Sequence, residues 1–92
     1  MHLTFGRDYN QQTDHLPPTI THLTFGGYYN HISDHLPSSI THLTFGWYYN
    51  QITNYLPPNV IYLAFGYFYN QPTILPSNLK RLHFGYCYNQ PA

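Results

Sequence analysis

The feature that most constrains this chain is an internal repeat. Phenylalanine followed by glycine recurs along the whole sequence, and an asparagine lies five residues after each phenylalanine. The phenylalanines are Phe5, Phe25, Phe45, Phe65 and Phe84, and the asparagines are Asn10, Asn30, Asn50, Asn70 and Asn89. The interval is 20 residues three times and then 19. Such a period is typical of units that cannot bury their own apolar face and therefore stack on their neighbours.

The residues before each glycine predict a short strand. Around Phe45, apolar and polar residues alternate, so that Leu43 and Phe45 share one side of an extended chain. His42 and Thr44 share the other side. We predict strands over residues 2–5, 21–25, 41–45, 61–65 and 80–84, stacked in parallel about 4.8 Å apart so that equivalent residues form columns.

The rest of each repeat predicts a turn and an extended return. The glycine indicates an unusual backbone angle or a close approach of another chain segment. The tyrosine four residues after each phenylalanine is predicted to face inward, and the asparagine beside it to bond backbone groups of the turn. Leu-Pro pairs such as Leu36-Pro37 end a return segment too short for a helix.

These patterns predict a β solenoid of about 4.5 coils of 20 residues, with one parallel strand per coil, an extended convex side and little or no α-helix. We expect one repeat domain over residues 1–92. Its repeats are placed at approximately 1–20, 21–40, 41–60, 61–79 and 80–92, the last being partial.

Charge and cysteine content exclude several classes of function. Three Lys or Arg balance three Asp or Glu, so we expect no nucleic-acid partner, because phosphate neutralisation needs clustered cations. Cys87 is the single cysteine. No apolar run is long enough for a secretory signal or a membrane span. We expect no membrane partner and a reducing intracellular compartment, the cytoplasm.

The motifs resemble two related families. The segment 36–45, Leu-Pro-x-x-Ile-x-x-Leu-x-Phe, looks like leucine-rich repeats of the shortest type. The segment 65–72, Phe-Gly-Tyr-Phe-Tyr-Asn-Gln-Pro, is similar to the FNIP repeat, a leucine-rich-repeat relative of social amoebae and giant DNA viruses. The resemblance covers nearly the whole chain. It departs from the motif where tyrosine replaces phenylalanine before asparagine, and where proline follows glutamine only at Pro72 and Pro91.

The resemblance implies a leucine-rich-repeat-like fold and a non-enzymatic protein-interaction scaffold. In viral members such repeats often follow an F-box that recruits a ubiquitin ligase, and the compartment would then be the host cytoplasm. These 92 residues contain no F-box sequence. The alternatives are a module that self-associates through uncapped end coils, giving a homo-oligomer, and a nonfunctional fragment of a longer F-box/FNIP-repeat adaptor.

Two outward columns are the candidate partner-binding face. One contains His2, His22, His42, Tyr62 and Arg81, and the other contains Thr4, Thr24, Thr44, Ala64 and His83. Repeat duplication alone could also produce such columns without selection for binding. Stacked histidines would disfavour protonation of one another, which lowers the pKa in the folded state.

Aromatic residues after the glycines form a second candidate surface. Trp47, Tyr67 and Tyr86 align in one column, and Tyr28, Tyr48 and Phe68 align beside them. If exposed, they are a strip of the kind that contacts a protein or sugar. The alternative is that half of them pack against the neighbouring coil.

Metal and catalytic sites have little support from the sequence, and we expect neither a metal nor a cofactor. Parallel columns do not converge tetrahedrally as zinc requires, and Pro37 argues against a helix that would align His31 with His35. The acid–base pairs Asp14-His15 and Asp34-His35 lack an accompanying nucleophile, and neighbours in an extended chain point apart.

Overall fold

A computed structural model of the chain describes residues 1–10, 16–31, 36–53 and 56–89. Five strands form one parallel sheet in the order of the sequence. They are β1 His2–Thr4, β2 His22–Thr24, β3 His42–Thr44, β4 Tyr62–Ala64 and β5 Arg81–His83. Equivalent residues are paired throughout, for example Leu23 with Leu43. The predicted solenoid and its register are therefore confirmed.

The strands are three residues long, shorter than predicted, because a turn begins at each glycine. The hydrogen-bond ladder nevertheless continues beyond them. Thr41 N–H donates to the Thr21 carbonyl at 2.8 Å, and Phe25 N–H donates to the Thr44 carbonyl at 2.9 Å. Each coil thus donates both to the coil before it and to the coil after it.

Two β-turns bend each coil. In the second coil, Tyr29 N–H donates to the Gly26 carbonyl and Ile40 N–H donates to the Pro37 carbonyl, both at 3.3 Å. The return segment is extended, with a parallel bridge between Thr53 and Thr73. No helix occurs within the described ranges, so the predicted extended return is confirmed there.

The core is a set of side-chain columns running through the coils. Leu23, Leu43 and Leu63 are fully buried, and the buried core also contains the phenylalanines and tyrosines of the three middle coils. The phenylalanine rings of successive coils stack 5.4–5.5 Å apart. Each phenylalanine also stacks on the tyrosine of its own coil at 3.7–4.3 Å. We call this interior the aromatic spine.

The glycines mark a close approach and not an unusual backbone angle, since none of them has a positive φ. A Cβ added at Gly46 would lie 2.1 Å from the Gly26 carbonyl oxygen, and one at Gly26 would lie 2.2 Å from that of Gly6. Real Cβ atoms never come so near an oxygen. Stacking at this corner therefore requires glycine in every coil that has a coil before it.

The asparagines connect successive coils by hydrogen bonds at the opposite end of the turn. Asn50 N–H donates to Asn30 Oδ1 at 3.0 Å, and Asn70 N–H donates to Asn50 Oδ1 at 2.9 Å. The predicted structural role of this column is confirmed. Where the turn interrupts the backbone ladder, the side-chain amide supplies the missing acceptor.

Candidate protein-interaction surface

The first outward column follows the outer side of the sheet. His2, His22, His42, Tyr62 and Arg81 pair in register from β1 to β5. The His22 ring stacks on His2 at 3.9 Å and on His42 at 4.1 Å, and His42 stacks on Tyr62 at 5.9 Å. The structure therefore brings the predicted column together as a stack of rings.

Threonine hydroxyls hold these histidine rings in place. Thr41 Oγ1 lies 2.9 Å from His42 Nδ1 and donates to the Thr21 carbonyl at 3.2 Å. Thr21 Oγ1 likewise lies 2.9 Å from His22 Nδ1. A hydroxyl has one proton, so the Thr41 hydroxyl that donates to the carbonyl accepts from the ring. His42 Nδ1 then carries the ring proton, and Nε2 remains an acceptor.

Stacking affects the acid–base behaviour of the central ring. Partial burial, together with the neighbouring rings of His42 and His2 and the N-terminal amino group, lowers the pKa of His22 below its ordinary value of 6.5. Both causes disfavour the charged form. The direction is the one predicted from the stacked column, with burial contributing more than the neighbouring histidines.

The second outward column lies beside the first. Thr4, Thr24, Thr44, Ala64 and His83 pair in register. Thr24 and Thr44 are half-buried, whereas Ala64 is buried. We call the two columns together the His/Thr face. It presents four imidazoles, three hydroxyls, one phenol, the Ala64 methyl group and the Arg81 guanidinium.

The aromatic strip of Trp47, Tyr67, Tyr86, Tyr28, Tyr48 and Phe68 is exposed. Trp47 keeps 55% of its surface accessible and Tyr86 83%. The rings also stack on one another, with Trp47 and Tyr67 at 5.1 Å and Tyr28 and Tyr48 at 5.2 Å. All six residues are exposed, and each also stacks on its counterpart in a neighbouring coil.

A pocket of about 260 Å³ opens at one end of the His/Thr face. His42, Ile61, Tyr62, Lys80 and Arg81 line it. Ile61 and Lys80 lie outside both predicted columns, whereas Arg81 ends the first of them. The signal that could have found the two cations is their adjacency in a chain with only three Lys or Arg.

The remaining candidates divide between described and undescribed residues. Asp14, His15, Asp34 and His35 lie outside the described residues. His31 Nε2 lies 2.9 Å from the Asn10 carbonyl oxygen, which gives that ring a structural partner. Across the part of the chain that the structure covers, no group of three His, Cys, Asp or Glu could hold a metal ion. Nor does that part include a helix with the length and apolarity needed to cross a bilayer.

Comparisons with known proteins agree with this geometry. The family model described as FNIP Repeat matches residues 1–28, 12–46, 29–68 and 69–92. The crystal structure of CroV588, described as a novel circular LRR protein and coming from a giant virus, is similar at a TM-score of 0.89 and 46% identity over 97% of this chain. The chain spans 14% of the length of that protein. No curated protein matches.

Proposed function

Because the chain belongs to the FNIP repeat family, we propose that it is a non-enzymatic scaffold that binds a protein partner through the His/Thr face and the adjoining aromatic strip. The residues proposed to contact the partner are His2, His22, His42, Tyr62, Thr4, Thr24, Thr44, Trp47, Tyr67 and Tyr86. The proposed location is the cytoplasm, in keeping with the single free cysteine, Cys87.

The observation that carries this proposal is the fixed arrangement of the His/Thr face. His22 is stacked on both sides, at 3.9 and 4.1 Å, and its Nδ1 is bonded to Thr21. Because these side chains are already ordered, they lose little conformational entropy when a partner binds. Pre-ordered contact groups lower the entropic cost of association, so a face with few charges can still bind usefully.

The pocket at the end of the face adds a chemical preference. Lys80 and Arg81 have no carboxylate within ion-pair distance among the described residues, where the one ion pair joins Arg7 and Asp8. Tyr62 can donate from its hydroxyl, and the two cations can donate together to a carboxylate. A partner with an acidic side chain over this pocket fits best.

The test compares two variants with the wild-type chain. One carries His22→Ala and His42→Ala, and the matched control carries Ser38→Ala and Ser77→Ala in exposed turns away from the face. Each chain is used to isolate partners from cell extract, which are quantified by mass spectrometry. We expect partners whose recovery falls about tenfold with the histidine variant and not with the control. An identical partner set for all three chains would reject the proposal.

Self-association is a second candidate, favoured by the incomplete burial of the outer coils in the 92-residue chain. Leu3, Phe5 and Tyr9 are only half-buried, and Leu82 keeps 37% of its surface accessible. Their counterparts in the middle coils are fully buried. Apolar columns that end in solvent can continue on another copy. Light scattering over a concentration series decides: a monomer at every concentration removes this candidate.

A further inference from the structure

One position of the exposed column that follows the repeated glycines has no side chain. The position directly after the repeated glycine is held by Arg7, Gly27, Trp47, Tyr67 and Tyr86 in successive coils. The three aromatic rings stack at 5.1 and 5.4 Å. At Gly27 the column has no side chain. We call the space above Gly27, between Arg7 and Trp47, the Gly27 slot.

The slot has the width of one planar ring. Coils repeat about every 4.8 Å, so positions 7 and 47, two coils apart, are separated by about 10 Å. A ring inserted midway would lie about 5 Å from each wall, close to the spacing of the existing rungs. The inserted ring would thus extend the stack of Trp47, Tyr67 and Tyr86 by one ring.

The side chain of Arg7 borders this space from the preceding coil. A Cβ added at Gly27 would meet nothing nearer than Arg7 Cγ at 3.4 Å, an ordinary contact. The Arg7 side chain is 78% exposed, and its Nε lies 3.6 Å from Asp8 Oδ1. Trp47 is 55% exposed, and its ring contact is with Tyr67 on the other side. More than half of the Trp47 surface therefore remains accessible.

The walls of the slot select the chemistry of an occupant. Trp47 offers an aromatic face on which a second ring can stack, and Arg7 offers a cation that is attracted to the negative face of a ring. An aliphatic side chain would bury area there but lacks this charge complementarity. A nucleobase is disfavoured because a nucleic acid needs clustered cations for its phosphates, and the chain has only three Lys or Arg.

We propose that the Gly27 slot binds one aromatic side chain of the protein partner, sandwiched between the guanidinium of Arg7 and the indole of Trp47. This deepens the proposed function and rests on it. The neighbouring Tyr28 and Tyr48 rings, stacked at 5.2 Å and exposed, give the residues that flank the inserted side chain a surface to contact.

A direct test uses Trp47, the only tryptophan in the chain, as its own reporter. N-acetylphenylalanine amide is titrated while Trp47 emission is recorded, with N-acetylleucine amide as the control ligand. We expect saturation by the aromatic amide alone, on the order of tens of millimolar, as befits one stacking contact. In the Gly27→Tyr variant the added ring occupies the slot, and the response is lost.

Three results of this titration would overturn the proposal. They are no response to the aromatic amide, an equal response to both amides, and an unchanged response in Gly27→Tyr. A saturable response to methyl glucoside without one to the aromatic amide would also overturn it, since the slot would then favour a sugar.

A second test uses peptides selected from a displayed library on the wild-type chain. Selected peptides should contain an aromatic residue and lose at least about tenfold in affinity with Gly27→Tyr or with Trp47→Leu. The matched control is Ser77→Tyr, which adds a ring in an exposed turn away from the face and leaves the slot open. Its affinity should stay within about threefold of wild type. If folding of Gly27→Tyr is impaired, Trp47→Leu alone decides this test.

The two proposals fail in different ways. Peptides that lose affinity with His22→Ala and His42→Ala but not with Gly27→Tyr or Trp47→Leu would keep the proposed binding face and reject the slot. Peptides indifferent to all of these variants would reject both.

Discussion

The interior and the exterior of this solenoid obey different rules. Inside, the repeat is nearly constant, with phenylalanine and tyrosine in all five coils. Outside, the column that begins with three histidines changes to Tyr62 and Arg81, and the column after the glycines changes from Arg7 and Gly27 to aromatic residues. The contrast separates residues that build the stack from residues that lie on its outer side.

The physical cause of the contrast is contact between like residues. An interior side chain packs on its own counterpart one coil away, so a change in one coil leaves two neighbours without a matching surface. An exterior side chain has solvent on one side and tolerates change. Variation along the outer columns is therefore compatible with the fold, and it makes the end of the face near Tyr62 and Arg81 chemically different from the histidine end.

The largest expected effect is the loss of stability caused by a substitution at a repeated glycine. Gly46→Ala places a methyl group 2.1 Å from the Gly26 carbonyl oxygen, and rigid backbone on both sides cannot yield. We expect a loss above about 4 kcal/mol, which leaves the chain unfolded by circular dichroism and urea titration. Gly6→Ala is the matched control, because an added Cβ there meets nothing within 4 Å. A folded Gly46→Ala chain would contradict the requirement for close approach.

A middle-sized effect is expected at the asparagine column. Asn50 Oδ1 accepts from Asn70 N–H at 2.9 Å and from Gln71 Nε2 at 3.2 Å. Asn50→Ala removes that acceptor at a site that water can reach, so the free energy of unfolding should fall by about 1 kcal/mol. Asn50→Asp keeps an acceptor oxygen and should cost less. Equal stability of the wild-type and alanine chains would show that this column is not structural.

The smallest expected effect is a loss of stability when the pH is lowered, because His22 on the outer face takes up a proton. The pKa of His22 is lowered in the folded chain, so above about pH 6.5 the ring is neutral in both states and stability is at its full value. As pH falls below that value, the unfolded chain takes up the proton first. Stability then declines until the folded pKa is passed.

Urea midpoints at about pH 8 and about pH 5 measure this decline. The midpoint should be lower at the acidic pH, and the drop should shrink in His22→Gln, which cannot titrate. An equal drop in the variant would assign the pH dependence to other groups. Identical midpoints for the wild-type chain would mean that the stacked rings do not oppose protonation.

Much of the fold could be predicted because the repeat supplies its own register. Once Leu43 and Phe45 are assigned to one side of a strand, residues 20 positions away must follow. The ends of the strands were harder to predict from the sequence, because the turn at each glycine replaces strand geometry while the hydrogen-bond ladder continues. The outward histidines were also predictable, because alternation within a strand is strict.

The interaction surface was less predictable. Past the glycine the chain turns, so alternation no longer indicates which of Trp47 and Tyr48 faces solvent. Both do, and each stacks on its counterpart in the next coil. The pocket that joins His42 and Tyr62 to Lys80 and Arg81 depends on how three successive coils project their side chains, which no single repeat contains.

By itself, the sequence determined the period, the inward columns and the identity of the residues that meet across coils. Those follow from local rules of strand alternation and from repetition. Only the tertiary structure decided that the glycines serve close approach, that the exposed rings share faces, and that Gly27 leaves an open space between Arg7 and Trp47. The physical reason is that these properties belong to the gap between residues 20 positions apart, and that gap exists only once the coils have stacked.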